Sequence, residues 1–392
     1  MVIWLYYGHM IRAVSNPFRR PDPVAWDAVA AAPFAAEDIR KVHRSLPEYA
    51  PTPLVRLPAL ADCLGVGQVL VKDEAHRFGL KAFKALGASY AVYRWFAERE
   101  EVPPPERFYR EFRPGGHATL CTATDGNHGR GVAWVAEKLG LRAEVFMPKG
   151  TVPARVESIR SHGAEVHVID GDYDDAVIRC AEQAKRHGWQ IISDTSWPGY
   201  EQIPRWIQAG YVSMFEEIQE QYEGVIDVAF IPGGVGALAA TAAWWFSRPG
   251  YESVKLVSVE PVSAACLLES VENGGEPRKA QGALDSVMAG LNCGVPSPVA
   301  WPLIRDRFDV FMVIEDSAAL EAMRWYYRQR GDDPRIVSGE SGAATLGGLM
   351  TLCGEDQFNA ARELLGVDCH ATVLLLSTEG ATDPEHWERV VK

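Results

Sequence analysis

The feature that most constrains this chain is a regular alternation of patterns between residues 118 and 193. Short β-rich apolar runs at about 118–122, 143–147, 164–169 and 189–193 are separated by helical stretches at about 129–139, 153–162 and 173–187. Strands separated by helices pair in parallel, because a parallel crossover needs a dozen or more residues. Such sheets bind ligands at the carboxyl ends of their strands, where loops meet helix N-termini. A second series follows, with a strand at 225–231, a helix at 237–247, a strand at 254–260 and a closing strand at 371–377. Earlier, 68–72 reads as a strand and 82–97 as a long helix. Pro17, Pro21, Pro23, Pro33, Pro47, Pro51 and Pro53 make 13–52 an irregular arm with short helices. The 392 residues therefore predict an α/β protein of two lobes, 1–90 with 198–392 forming the larger and 91–197 the smaller.

Charge and composition exclude several classes. With 39 Lys plus Arg against 52 Asp plus Glu, the formal charge is −13, and no basic patch offsets it. Nucleic acid and anionic membrane are therefore not expected partners. The apolar opening 2–7 is too short to span a bilayer and its basic residues follow rather than precede it; the longest later apolar run, 237–246, is also too short. The expectation is a soluble cytoplasmic protein. Seven cysteines without a CxxC pair and ten histidines without an HExxH motif suggest neither a disulfide framework nor a metal site.

Five segments at strand ends or helix starts have unusual composition. Residues 77–87 hold Lys81 and Lys84, two of only ten lysines, at the start of a helix. They read either as solvated surface lysines or, for Lys84, as an amine opening onto small residues where a flat ring fits. Residues 122–131 place Thr124, Asp125, Asn127 and His128 among glycines at a helix N-terminus, which favours an anion, although Asp125 also reads as a simple cap. Residues 232–237, Pro-Gly-Gly-Val-Gly-Ala, follow an apolar strand and precede a helix. Glycines and the helix dipole there suit a phosphate. With Glu260 closing the next strand, the same segment imitates a dinucleotide fingerprint, so a nicotinamide cofactor stays open; without a Walker lysine, nucleotide triphosphate hydrolysis does not. The last two are Ser193-Asp194-Thr195-Ser196-Trp197 and Ser377-Thr378-Glu379-Gly380, each closing a strand and each readable as an ordinary turn.

Together, A-F-K-A-L-G-A around Lys84, N-H-G at 127–129, G-G-V-G-A and the serine closing the last strand resemble the fold-type II pyridoxal-phosphate enzymes, the group of threonine dehydratase, cysteine synthase and tryptophan synthase β. Longer strings are similar to the diaminopropionate ammonia-lyase family: V-K-D-E at 71–74, R-F-G-L-x-A-F-K at 77–84, T-D-G-N-H-G-R-G-V-A-W at 124–134, M-P-K-G at 147–150, D-T-S-W at 194–197, G-V-G-A at 234–237, S-G-E-S-G-A at 338–343 and S-T-E-G-x-T-D at 377–383.

The resemblance implies two parallel-type α/β lobes with pyridoxal 5′-phosphate in the cleft between them, the larger lobe binding the cofactor, and a homodimer. It matches Lys84 with the lysine that forms the internal aldimine, Phe83 lying beside the cofactor, and Asn127 with the residue bonded to its 3′-oxygen. The backbone of Gly233, Gly234, Val235, Gly236 and Ala237 matches the phosphate cradle, and Ser377 or Thr378 the hydroxyl beside the pyridine nitrogen. Asp125 and Asp194 match two carboxylates implicated in proton abstraction from the two substrate enantiomers. Two residues depart from the pattern: Ala82 stands where many relatives have Ser, and Lys81 replaces a neutral residue. The implied reaction is α,β-elimination of 2,3-diaminopropionate to pyruvate and two ammonia, without a metal. The rivals are a serine or threonine dehydratase of the same fold, a nicotinamide-dependent oxidoreductase, and a non-catalytic cofactor-binding descendant.

Overall fold

The computed structural model describes residues 3–4 (backbone only), 11–20, 31–115, 118–124, 126–171 and 173–392. Its strands are β1 (Ile3–Trp4), β2 (Arg12–Ser15), β3 (Leu54–Arg56), β4 (Gln68–Asp73), β5 (Thr119–Ala123), β6 (Arg142–Pro148), β7 (Glu165–Ile169), β8 (Gln190–Ile191), β9 (Val228–Pro232), β10 (Lys255–Pro261), β11 (Val310–Ile314) and β12 (Thr372–Ser377). The chain divides into two compact units. One joins Met1–Ala31, Thr52–His76 and Met214–Lys392; the other joins Ala32–Pro51 and Arg77–Ser213.

These limits differ from those drawn on the sequence, at 90/91 and 197/198, for a physical reason. A cut at 90/91 falls inside the Ala85–Ala97 helix, and a cut at 197/198 separates the Gln202–Gly210 helix from the one it packs on. That packing is close because glycines face each other: a Cβ on Gly87 would lie 2.7 Å from Ile207 Cγ2, and one on Gly210 would lie 2.5 Å from the Leu86 carbonyl oxygen. The crossing belongs to a single core.

The first unit is built on an eight-stranded sheet of order β1-β2-β11-β10-β9-β12-β4-β3. Its five central strands run parallel, while β1, β2 and β3 pair antiparallel at the edges. Every residue of β9, β11 and β12 is buried, as parallel strands covered on both faces require. The apolar Ala237–Trp245 and Glu340–Gly354 helices are correspondingly buried on nearly all sides.

In this unit Lys72 and Glu217, both fully buried, meet at 2.7 Å, and the Lys72 ammonium also donates to the Thr52 carbonyl at 2.7 Å. The V-K-D-E string thus supplies one half of a structural ion pair.

The second unit holds a parallel sheet of order β7-β6-β5-β8 with helices Asn127–Leu139, Pro153–Arg160 and Tyr173–His187 between its strands, the alternation read from the sequence. Among the described residues no helix is long and apolar enough to cross a membrane.

Candidate active site

In the second unit, β5 and β8 are parallel neighbours, Cys121 standing opposite Ile191, so the loops leaving their carboxyl ends come together. His128, at the start of the helix after β5, donates from Nε2 to the Ile192 carbonyl after β8 at 2.7 Å. The Thr124 hydroxyl accepts the Gly126 and Gly129 N–H groups at 3.0 and 3.1 Å. The Thr124 hydroxyl thus holds two N–H groups at the start of this helix. Asp125 itself lies outside the described residues. Asn127 is the first helical residue and is half-buried.

Asp194 sits in a loop pinned by Tyr200. The Tyr200 hydroxyl accepts the Ser193 N–H at 2.8 Å and donates to the Ile191 carbonyl at 2.9 Å, and its ring stacks on Trp197 at 4.2 Å. So held, Asp194 Oδ2 receives a hydrogen bond of 2.6 Å from Lys84 Nζ and lies 3.9 Å from His128 Nδ1. Burial opposes the Asp194 charge, but the positive charges of Lys84 and His128 outweigh it and hold the carboxyl well below the usual range.

Lys84 is the residue on which the Ala85–Ala97 helix begins, three residues later than the sequence pattern predicts. Residues 77–81 are not helical: Phe78, Gly79 and Lys81 adopt φ of +50°, +72° and +58°. Two non-glycine residues in the left-handed region represent strain of about 1–2 kcal/mol each. Arg130 steadies this turn by donating to the Leu80 carbonyl at 2.8 Å. Lys81 is exposed, whereas the Lys84 side chain is 17% exposed, which separates the two lysines that stood side by side in the sequence. The Phe83 ring is buried 4.7 Å from that of Tyr211.

The first unit carries the other segments. After β9, Gly234 and Gly236 take φ of +61° and +92°, conformations that glycine adopts without a Cβ penalty. The Gly233 N–H is spent on the Val259 carbonyl at 2.8 Å and the Gly236 N–H on the Gly233 carbonyl at 3.2 Å. Among the described residues, the N–H groups of Gly234, Val235 and Ala237 have no acceptor. Three such donors, the last opening the Ala237–Trp245 helix, fit a phosphate group.

Glu260 is unavailable to a ribose, because its two carboxylate oxygens accept the Leu267 and Leu268 N–H groups, each at 2.8 Å, deep in the core. Burial pushes this carboxyl up to about 8, against those two N–H donors. The dinucleotide reading is corrected on this ground: the acid is a buried helix cap. At the end of β12, the buried Ser377 hydroxyl donates to Ser338 Oγ at 2.9 Å, and Thr378 is buried beside it.

Each unit thus gathers its own share of the predicted residues: Phe83, Lys84, Asn127 and Asp194 in one, the 233–237 loop, Ser377 and Thr378 in the other. Sequence reasoning assigned no role to Thr124, Tyr200, Ser338 or Tyr211. Ser338 and Thr124 carried a signal, their places in the S-G-E-S-G-A and T-D-G-N-H-G-R-G-V-A-W strings; Tyr200 acts through loop contacts seven and nine residues back, and Tyr211 through a contact with the distant Phe83.

Residues 46–365 match the family described as pyridoxal-phosphate dependent enzyme. Diaminopropionate ammonia-lyase of Salmonella typhimurium is 40% identical over 367 residues, covering 90% of this chain and 91% of that protein. The solved structure of holo diaminopropionate ammonia lyase from Escherichia coli aligns with a TM-score of 0.89 at 37% identity, over 97% of this chain and 96% of that one. The same lyase in complex with an aminoacrylate-PLP azomethine reaction intermediate aligns with a TM-score of 0.87, again at 37% identity and over 97% and 96% of the two chains. The chain therefore belongs to the diaminopropionate ammonia-lyases, within the fold-type II pyridoxal-phosphate dependent enzymes.

Proposed function

We propose that this protein eliminates ammonia from 2,3-diaminopropionate and that water then displaces a second ammonia to leave pyruvate, with pyridoxal 5′-phosphate as its cofactor. The observation that carries the reading is the Lys84–Asp194 pair, an amine and a carboxylate 2.6 Å apart at the start of a buried helix. The Lys84 amine would hold the cofactor's aldehyde carbon, Asn127 its ring oxygen, and Ser377 or Thr378 its ring nitrogen. The N–H groups of Gly234, Val235 and Ala237 would hold its phosphate, with Gly233 and Gly236 shaping the turn. When bound, the cofactor supplies an electron sink for the substrate's α-carbon.

The chain's own groups then handle charge and protons. With Lys84 withdrawn, Asp194 Oδ2 takes the α-proton on one face of the substrate, and Asp125 takes it on the other or pairs with the β-ammonium. A dehydratase substrate carries no second amine for these acids to recognise, which favours the diamine.

The purified holoenzyme with D- and L-2,3-diaminopropionate tests the reading. Two ammonia released per pyruvate supports it; turnover of serine or threonine alone, with one ammonia per oxoacid, points to the dehydratase instead. The homodimer and cytoplasmic location belong to the same proposal, and light scattering and cell fractionation check them.

A further inference from the structure

Tyr211, which follows the Gln202–Gly210 helix, is fully buried, yet among the described residues its hydroxyl has no hydrogen-bond partner. An unpaired buried hydroxyl destabilises the fold, and phenylalanine would fill the same space without that cost. The ring is fixed against Phe83 at 4.7 Å, and its edge occupies the room left by Gly87, where a Cβ would stand 2.7 Å from Tyr211 Cε1. Lys84 Nζ lies 5.5 Å from the centre of that same Phe83 ring, so the phenol and the reacting amine pack on one aromatic side chain. Burial pushes its ionisation to higher pH, the Lys84 charge opposes that rise, and the Asp194 charge adds to it. A phenol so disposed keeps its proton and serves as a hydrogen-bond donor.

Besides its own backbone N–H, the Asp194 carboxylate has Lys84 as its side-chain donor among the described residues. Its described charged and titratable neighbours are Lys84 from the Ala85–Ala97 helix, His128 from the Asn127–Leu139 helix, Tyr200 from its own loop, and Tyr211. Lys84 supplies the bond of 2.6 Å and gives it up when its amine is engaged elsewhere. His128 Nδ1 stands 3.9 Å away, and the Tyr200 hydroxyl is committed to Ser193 and Ile191.

Resting on the reading that Lys84 and Asp194 form the reacting pair, we propose that the Tyr211 hydroxyl is a positioning donor that takes over the Asp194 carboxylate once Lys84 leaves it. The bond keeps the carboxylate ionised and aimed at the α-carbon while it acts as the base. The unpaired hydroxyl in the present arrangement is the waiting half of that exchange.

The holoenzyme variant Tyr211→Phe tests this, with the pH profile of kcat on D- and L-2,3-diaminopropionate and the melting temperature as readouts. It should melt no lower than the parent. For the enantiomer that uses Asp194, kcat should fall about tenfold and its acid limb should move up by about one pH unit, because a lost hydrogen bond to the charged form raises a carboxyl's pKa. In an Asp194→Asn background the same substitution should have no further effect. Unchanged kcat and acid limb overturn the proposal, as does a lower kcat with an unmoved limb, or an effect that adds to that of Asp194→Asn. Borohydride reduction of the parent with peptide mapping tests the underlying reading separately. Cofactor fixed to a lysine other than Lys84 defeats that reading, whereas an inert Tyr211→Phe beside a labelled Lys84 defeats only the role of the phenol.

Discussion

Lys84 Nζ donates to Asp194 Oδ2 at 2.6 Å, and each partner is fixed by its own clamp: the lysine by the buried helix it opens, the aspartate by a loop that Tyr200 ties to Ile191. An amine and a carboxylate held this way are placed for alternating proton transfer. Lys84→Ala should abolish turnover, with borohydride no longer fixing cofactor to the chain. Asp194→Asn should lower kcat by about 100-fold or more for one enantiomer of the substrate while the other keeps most of its rate, and Asp125→Asn should show the reverse preference. Equal losses on both enantiomers from each variant would defeat the two-face assignment.

The same pair sets a dependence of stability on pH. The Asp194 carboxyl is held below its ordinary range, so the folded state binds fewer protons here than the unfolded chain. Its contribution is fully present above the unfolded carboxyl pKa of about 4 and disappears as pH falls through the lower folded value. Thermal melting between pH 7 and pH 3 checks this: the parent should lose stability over the acid part of that range more steeply than Asp194→Asn.

Gly236→Ala forces a side chain into φ of +92° and would place its Cβ 2.5 Å from Ile304 Cδ1. The conformational term alone should cost about 1–2 kcal/mol. Because the loop also presents the Gly234, Val235 and Ala237 donors, the variant should retain less cofactor. Gel filtration followed by the visible spectrum reads that loss directly.

Removing one half of the buried Lys72–Glu217 pair takes from the other charge its ion partner. Lys72→Met should destabilise the protein by about 3–5 kcal/mol in denaturant unfolding, and adding Glu217→Met should recover most of that loss. Activity at low denaturant should survive in the double variant.

Replacing the buried Ser377 by Ala removes the hydroxyl that now donates to Ser338 at 2.9 Å. The expected result is a holoenzyme with an altered cofactor spectrum and a larger share of transamination side product. If Thr378→Ala produces that change and Ser377→Ala does not, the assignment passes to Thr378.

The parts of the fold legible in the sequence are those where one period holds over a whole element. β5 to β8 and their helices alternate cleanly, and they appear where expected. β2 and β3 were not legible, being four and three residues long in proline-rich surroundings. The Glu340–Gly354 helix is buried almost all round, so its apolar residues trace no stripe. At the site, resemblance singled out Lys84, Asp194 and the 233–237 loop, because these lie in contiguous strings. The Thr124 cap and the Tyr200 clamp join residues two to nine positions apart in irregular loops, which no hydrophobic period marks; the Tyr211 contact with Phe83 arises only when segments far apart in the chain meet. Glu260 shows the converse: its position suited a ribose, but its burial beneath Leu267 and Leu268 makes it structural.

The glycine seam between the Ala85–Ala97 and Gln202–Gly210 helices bears on any attempt to alter this protein. The reactive amine hangs from the residue that caps the start of one of these rods, three positions before Gly87, and the Tyr211 phenol follows directly after Gly210 on the other. One added methyl group at either glycine would push the rods apart and carry amine and phenol out of register together. Libraries meant to widen the range of accepted amino acids should leave positions 87 and 210 untouched and vary the loops instead.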